Sequence, residues 1–180
     1  MAGNLLARSA HDLGAAAWFG GTLMGAVGLN GATGKAKDPR ERTRLSSLGW
    51  AKWTPVQIGA FVAHAVGGIG LIYGNKGRLA KQEGVGANTV IKSVVTVTGM
   101  ALSLYAGMMG KKVAELAEQG GEGATEPRPG ASDELAKAQS QLKMLQWALP
   151  VVSGTVVVLS AHQGEMQRPT NVLDGIFGRK

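Results

Sequence analysis

Three histidines carry most of the recognisable chemical potential of this chain, and each sits inside or beside an uncharged stretch. His64 lies in Phe61-Val62-Ala63-His64-Ala65-Val66-Gly67-Gly68, with no formal charge between Trp53 and Asn75. An imidazole there can ligate a b-type haem, relay a proton, or serve as a polar knob for a hydroxyl such as Thr96, Thr98, Ser103, Ser153 or Thr155; the last role weighs most. A second constellation pairs His11-Asp12 with His162 and Glu165. Two imidazoles and two carboxylates are a donor set for Zn, Fe or Mn. His162 and Glu165 are three apart and share a face if their helix continues. No spaced ligand motif joins the four, so caps and ion pairs with Arg8 and Arg168 are the more ordinary expectation.

The elements that position these groups are long uncharged runs: Leu13–Gly34, Trp53–Asn75, Ser93–Gly110 and Met144–Gly164. About 18 apolar residues suffice for a helix to cross a ~30 Å hydrocarbon layer. The pattern predicts an all-α membrane protein, a single domain over 1–180, with four transmembrane helices in an antiparallel bundle. The expected spans are about 13–34, 53–75, 90–112 and 143–164, with a flexible loop at 120–132 and an amphipathic tail at 165–180. In that setting an ionisable residue at membrane depth is expensive and marks function by default, which is why His64 stands first.

Composition supports this reading. The net charge of +7 is concentrated at the ends of the apolar runs, where membrane headgroups rather than nucleic acid account for it. Cysteine is absent, which excludes disulfides, thiolate metal sites and cysteine nucleophiles. No phosphate loop, nucleophile elbow or dinucleotide fingerprint occurs, and Gly67-Gly68-Ile69-Gly70 lies inside a run, not after a strand. The first span lacks the layout of a cleavable signal and is expected to remain as an anchor.

The 28 glycines are roughly twice the average usage and many fall within the runs. Gly21, Gly25 and Gly28 in the first run, with Gly67, Gly70 and Gly74 in the second, form smooth faces for close helix approach. Asp38-Pro39 reads as a helix cap, and Arg40–Ala51 as a short surface helix. Thr54-Pro55 reads as the cap of the second span, with Trp50 and Trp53 in an interfacial aromatic belt. Asn75–Lys92 reads as a polar connection, and Ser132-Asp133-Glu134 as the start of the last long helix. Val172, Leu173, Ile176 and Phe177 are spaced for a short amphipathic helix. Of the 19 Lys and Arg residues, eight fall on the side of the termini and eleven on the other. That excess tilts the first and third loops to the cytoplasm, and both termini to the outside of the plasma membrane.

The segment His11-Asp12-Leu13-Gly14-Ala15-Ala16-Ala17-Trp18-Phe19-Gly20-Gly21 resembles the start of copper-resistance D-type membrane domains, although the Met- and His-rich segments of copper handling are missing here. The Ala/Gly-rich style is similar to that of four-span proteins of high-GC actinobacteria. That resemblance implies a non-enzymatic accessory or scaffold subunit of a larger envelope complex, for example a lipid importer or respiratory assembly. Its partners would be the bilayer and a membrane protein or a second copy of the chain, not nucleic acid. The alternative is a haem- or metal-binding membrane protein using His64, or His11 and His162 with Asp12 and Glu165.

Overall fold

The computed structural model describes residues 2–177. Seven α-helices account for most of these residues: α1 (Ala2–Met24), α2 (Asn30–Thr33), α3 (Pro39–Gly74), α4 (Lys76–Lys81), α5 (Val85–Glu115), α6 (Asp133–Glu165) and α7 (Pro169–Phe177). A π-helical turn, Gly25–Leu29, joins α1 to α2 without leaving the right-handed helical region. Three helices, α3, α5 and α6, are long and apolar enough to cross a membrane. The first expected span, 13–34, falls in α1–α2 and is not among them: α1 ends at Met24, where the π turn begins, and its 23 residues include Arg8, His11 and Asp12.

Helix starts follow from local chemistry. Asp38 caps α3 by accepting from the Arg40 amide at 2.9 Å, with Pro39 in the first turn. Ser132 caps α6 through the Leu135 amide. Thr54-Pro55, expected to start a separate span, does not interrupt α3, which runs unbroken for 36 residues. The Thr54 hydroxyl donates back to the Trp50 carbonyl at 2.9 Å and so serves the preceding turn instead of capping the next. At about 1.5 Å per residue α3 is roughly 54 Å long, well beyond a ~30 Å hydrocarbon layer.

Two seams organise the packing. Ascending α1, contacts descend α3: Asn4 lies at Gly74, His11 at Gly67, and Asn30 bonds Ser46 and Trp50. On α6 the buried positions of the seam are Leu135, Ala138, Leu142, Leu145 and Leu149, facing Leu102, Ala106, Met109 and Val113 of α5 and Leu116 at its C-cap. Both sets repeat with alternating three- and four-residue steps, the spacing of a coiled-coil seam. Between the seams, α1 sends Trp18 and Thr22 into the centre, both fully buried. Trp18 meets Phe61 edge-on at 5.0 Å and lies over Gly99.

Two further expectations change. Trp50 and Trp53 do not stand in an outward belt; their rings rest where side chains on Gly25 and Gly21 would otherwise be. The loop 120–132 is not a free linker. Gly121 donates to the Pro39 carbonyl at 3.0 Å, Arg42 donates to the Glu122 carbonyl at 2.9 Å, and Ala124 and Thr125 are buried. Gly120 makes that tuck possible through a left-handed φ of 72°, which glycine adopts without penalty.

Candidate functional site

At the end of the molecule where α1 and α5 begin and α3 and α6 finish, two histidines meet. The His11 and His64 rings lie 4.0 Å apart between centroids, tilted at 54° to each other. Each histidine is followed three residues later by a glycine, and each glycine faces the other helix's histidine. A Cβ on Gly14 would fall 2.5 Å from the Ala60 carbonyl oxygen and 2.7 Å from the His64 amide nitrogen. A Cβ on Gly67 would meet the His11 amide, with the Ala7 carbonyl oxygen at 2.5 Å. The reciprocal His-x-x-Gly arrangement is thus the closest backbone crossing of α1 and α3. His64 Nδ1 lies 2.9 Å from the His11 carbonyl oxygen. A carbonyl only accepts, so Nδ1 of His64 carries the hydrogen. His11 Nδ1 meets the Asp12 carboxylate at 3.1 Å.

The expected four-residue ligand set is not gathered. His162 lies apart from His11 and takes Asn88 as partner, Nδ1 to Nδ2 at 3.0 Å. Glu165 pairs with Arg168 at 2.7 Å on the surface. Among the described residues no group of three or more His, Asp or Glu side chains converges in a way that could hold a metal ion. The glycines singled out from sequence have distinct neighbours: Gly21 meets Trp53, Gly25 Trp50, Gly28 the Met24 thioether of its own helix, Gly67 His11, Gly70 the Ala7 methyl, and Gly74 the Asn4 side chain.

Beside the histidine pair lies a cavity of about 260 Å³ between α3 and α5. Its lining combines the polar Arg8, Arg78, Lys92 and Gln163 with the apolar Ile69 and Val97. Arg8 donates to Gln167 at 2.9 Å, Lys92 to Gln163 at 2.6 Å, and Arg78 to the Met166 carbonyl at 2.9 Å. Partial burial, and then the nearby charge of Arg8, lower the pKa of Arg78 below the usual guanidinium value. A guanidinium nevertheless keeps its charge in a protein.

Lys92 is the residue that sequence reasoning missed. Placed at the end of a polar connection, it instead lies two turns inside α5 and is 9% exposed. The signal was present in the spacing: Asn88, Thr89, Lys92, Ser93 and Thr96 recur at three- and four-residue intervals, a polar stripe on one helical face. Arg8, Arg78 and Gln163 come from other helices, so no local pattern links them.

The opposite end of the molecule is held by Asn30. Its side-chain oxygen accepts from Ser46 at 2.9 Å and from the Trp50 indole at 3.1 Å, while its amide donates to Gln146. This asparagine is the first residue after the π turn, and such turns often sit at places a helix must rephase for function. No protein-family model, curated protein or solved structure matches the chain.

Proposed function

We propose that the chain is an integral membrane protein with four spans in an antiparallel bundle, acting as a non-enzymatic accessory or scaffold subunit that packs against other membrane helices. Assignment of α1 as the fourth span draws on its burial against α3 and α6, with Trp18 and Thr22 inside and Thr22 within 3.4 Å of the Ser153 hydroxyl. A helix embedded among three membrane-capable helices shares their depth. Both termini then lie on one side of the plasma membrane, with the first and third loops in the cytoplasm.

The observation that carries the subunit role is a set of outward glycines. Gly20, Gly59 and Gly107 lie in helices yet have nothing within 4 Å of where a Cβ would sit. Glycine in a helix interior is less stable than alanine by roughly 0.5–1 kcal/mol. Internal packing does not account for glycine at these three positions. A close-approaching helix from another subunit would, since small residues let backbones come together in lipid. By contrast, Gly21 and Gly25 are occupied internally by Trp53 and Trp50.

The test is gentle detergent solubilisation of tagged protein from its native membrane, with mass spectrometry of co-purifying proteins. Gly59→Leu and Gly107→Leu should insert normally and lose stoichiometric partners. Unchanged co-purification in both variants, or no partner with the wild type, defeats the subunit role. Because the chain has no cysteine, single-cysteine labelling at Ser47, Lys81, Ser132 and Thr170 reads the four-span topology independently.

A further inference from the structure

We propose that the cavity between the end of α3 and the start of α5 is a binding site for a phosphate-type anion, and that its open apolar wall suits one carried by a lipid tail. The first ground is charge. Arg8, Arg78 and Lys92 line the cavity with one carboxylate, Asp12. Asp12 is engaged by His11, and among the described residues no carboxylate lies within ion-pair distance of any of the three cations. Lys92 is 9% exposed, so its ammonium is largely removed from water with no carboxylate in direct contact, the charge of Asp12 acting only from farther off. Burying a charge in that way is unfavourable unless a counter-charge or several hydrogen bonds compensate.

The second ground is unused donors. Lys92 makes one hydrogen bond, to Gln163, and an ammonium carries three N–H groups. Arg8 makes one side-chain hydrogen bond, to Gln167, from a guanidinium with five N–H groups. Those remaining donors border a cavity of about 260 Å³, ample for a phosphate group and the first atoms attached to it. Arg and Lys together supply planar and point-charge recognition of phosphate oxygens.

The third ground is shape. Of the four long-helix pairings α1–α3, α5–α6, α1–α6 and α3–α5, the last is the loosest. Ile69 and Val97 face the cavity from the two sides of that gap, and both are more than half exposed on the outer surface. A headgroup held at the cations therefore has an apolar path for a tail toward the bilayer. The site stands apart from the accessory-subunit role, since it needs no partner protein; it draws on the membrane reading only for the tail.

The experiment uses the full-length protein in detergent micelles and native mass spectrometry, offering phosphatidylglycerol or phosphatidylcholine of equal chain length. Inorganic phosphate is added separately while thermal unfolding is followed. One phosphatidylglycerol per protein, retained at least about tenfold better than phosphatidylcholine, identifies a lipid headgroup. Stabilisation by inorganic phosphate with no preference between the lipids identifies a free anion instead. In either case Lys92→Gln should weaken binding about tenfold, as loss of one charge-assisted contact implies. Lys92→Arg should retain binding, and Lys111→Gln, remote from the cavity, should leave it unchanged. If Lys92→Gln does not fold, Arg8→Gln combined with Arg78→Gln carries the same expectation. Equal retention of both lipids without a phosphate effect overturns the site, and so does retention unaltered in the folded charge variants.

Discussion

The α1–α3 and α5–α6 seams join long helices in the same molecule by different physics. Along α1–α3 the close contacts are made at glycines: Gly14 and Gly67 admit the opposing backbone, while Gly21 and Gly25 admit indole rings. Polar groups complete that seam, from the His11–His64 pair at one end to Asn30 at the other. Along α5–α6 the contacts are aliphatic, running from Leu135 and Val113 to Leu149 and Leu102. Lys112 bridges to Glu134 at 2.7 Å beside this zipper, and both side chains are about half exposed. In water, apolar area removed from solvent drives association. Within hydrocarbon that drive vanishes, and close van der Waals approach with interhelical hydrogen bonds takes over.

The largest expected effects come from making each seam imitate the other. Leu135 is fully buried in the zipper, and Leu135→Ala should cost about 3 kcal/mol through lost transfer energy and a cavity. Gly67→Ala adds a single methyl group, yet should cost about 2 kcal/mol because it strikes backbone that cannot rotate away. Reversible unfolding in mixed micelles measures both. A neutral Gly67→Ala would mean that α1 and α3 are farther apart than described. The complementary change sharpens the contrast: Gly107, with open space around it, should tolerate Gly107→Ala with a gain of up to about 1 kcal/mol in the isolated protein.

How far the sequence foretold this depends on whether the determining information is local. The uncharged runs marked α3, α5 and α6 because span length is a property of one segment. The caps at Asp38 and Ser132 were legible for the same reason. Thr54 misled because a threonine before proline has two local hydrogen-bonding options, and the one chosen depends on a helix already formed upstream. The loop 120–132 misled because its Gly, Pro and Glu composition is that of a linker; Pro39 and Arg42, eighty residues earlier, tie it down. At the candidate site, His11 and His64 were each visible, but their ring contact depends on an interhelical register. The shared His-x-x-Gly pattern at His11-Gly14 and His64-Gly67 is local, but nothing in either segment says that the two cross each other. Lys92 was concealed by an element boundary placed several residues too late.

A smaller effect separates polar from steric contributions within the α1–α3 seam. His64→Phe keeps a flat ring against His11 but removes the Nδ1 hydrogen donated to the His11 carbonyl. A loss of about 1 kcal/mol is expected, the net worth of an intramolecular hydrogen bond. The same substitution leaves Gly14 and Gly67 in contact, so the loss should remain below that of Gly67→Ala. If His64→Phe proves the costlier of the two, the histidine pair and not the glycine crossing holds the seam.

The smallest effect lies at the outer end of the α5–α6 seam, where the loop 120–132 closes over it. Burial of Glu126 acts to raise its pKa, but its bonds to Lys143, at 2.9 Å, and to the Thr125 amide outweigh burial and hold it below the usual carboxylate value. A carboxyl whose pKa is depressed by folding stabilises the native state above its unfolded value, and that contribution is lost as pH falls through the folded value. Stability should therefore be flat near neutrality and decline below the ordinary carboxylate range as Glu126 takes up a proton. Both partners of the pair are about half exposed, so solvent screening limits the effect to less than about 1 kcal/mol. Glu126→Gln should lower stability slightly at neutral pH and reduce the acid-side decline. High salt should weaken the wild type toward the variant while leaving the glycine-lined α1–α3 seam, which depends on contact and not on charge, unaffected.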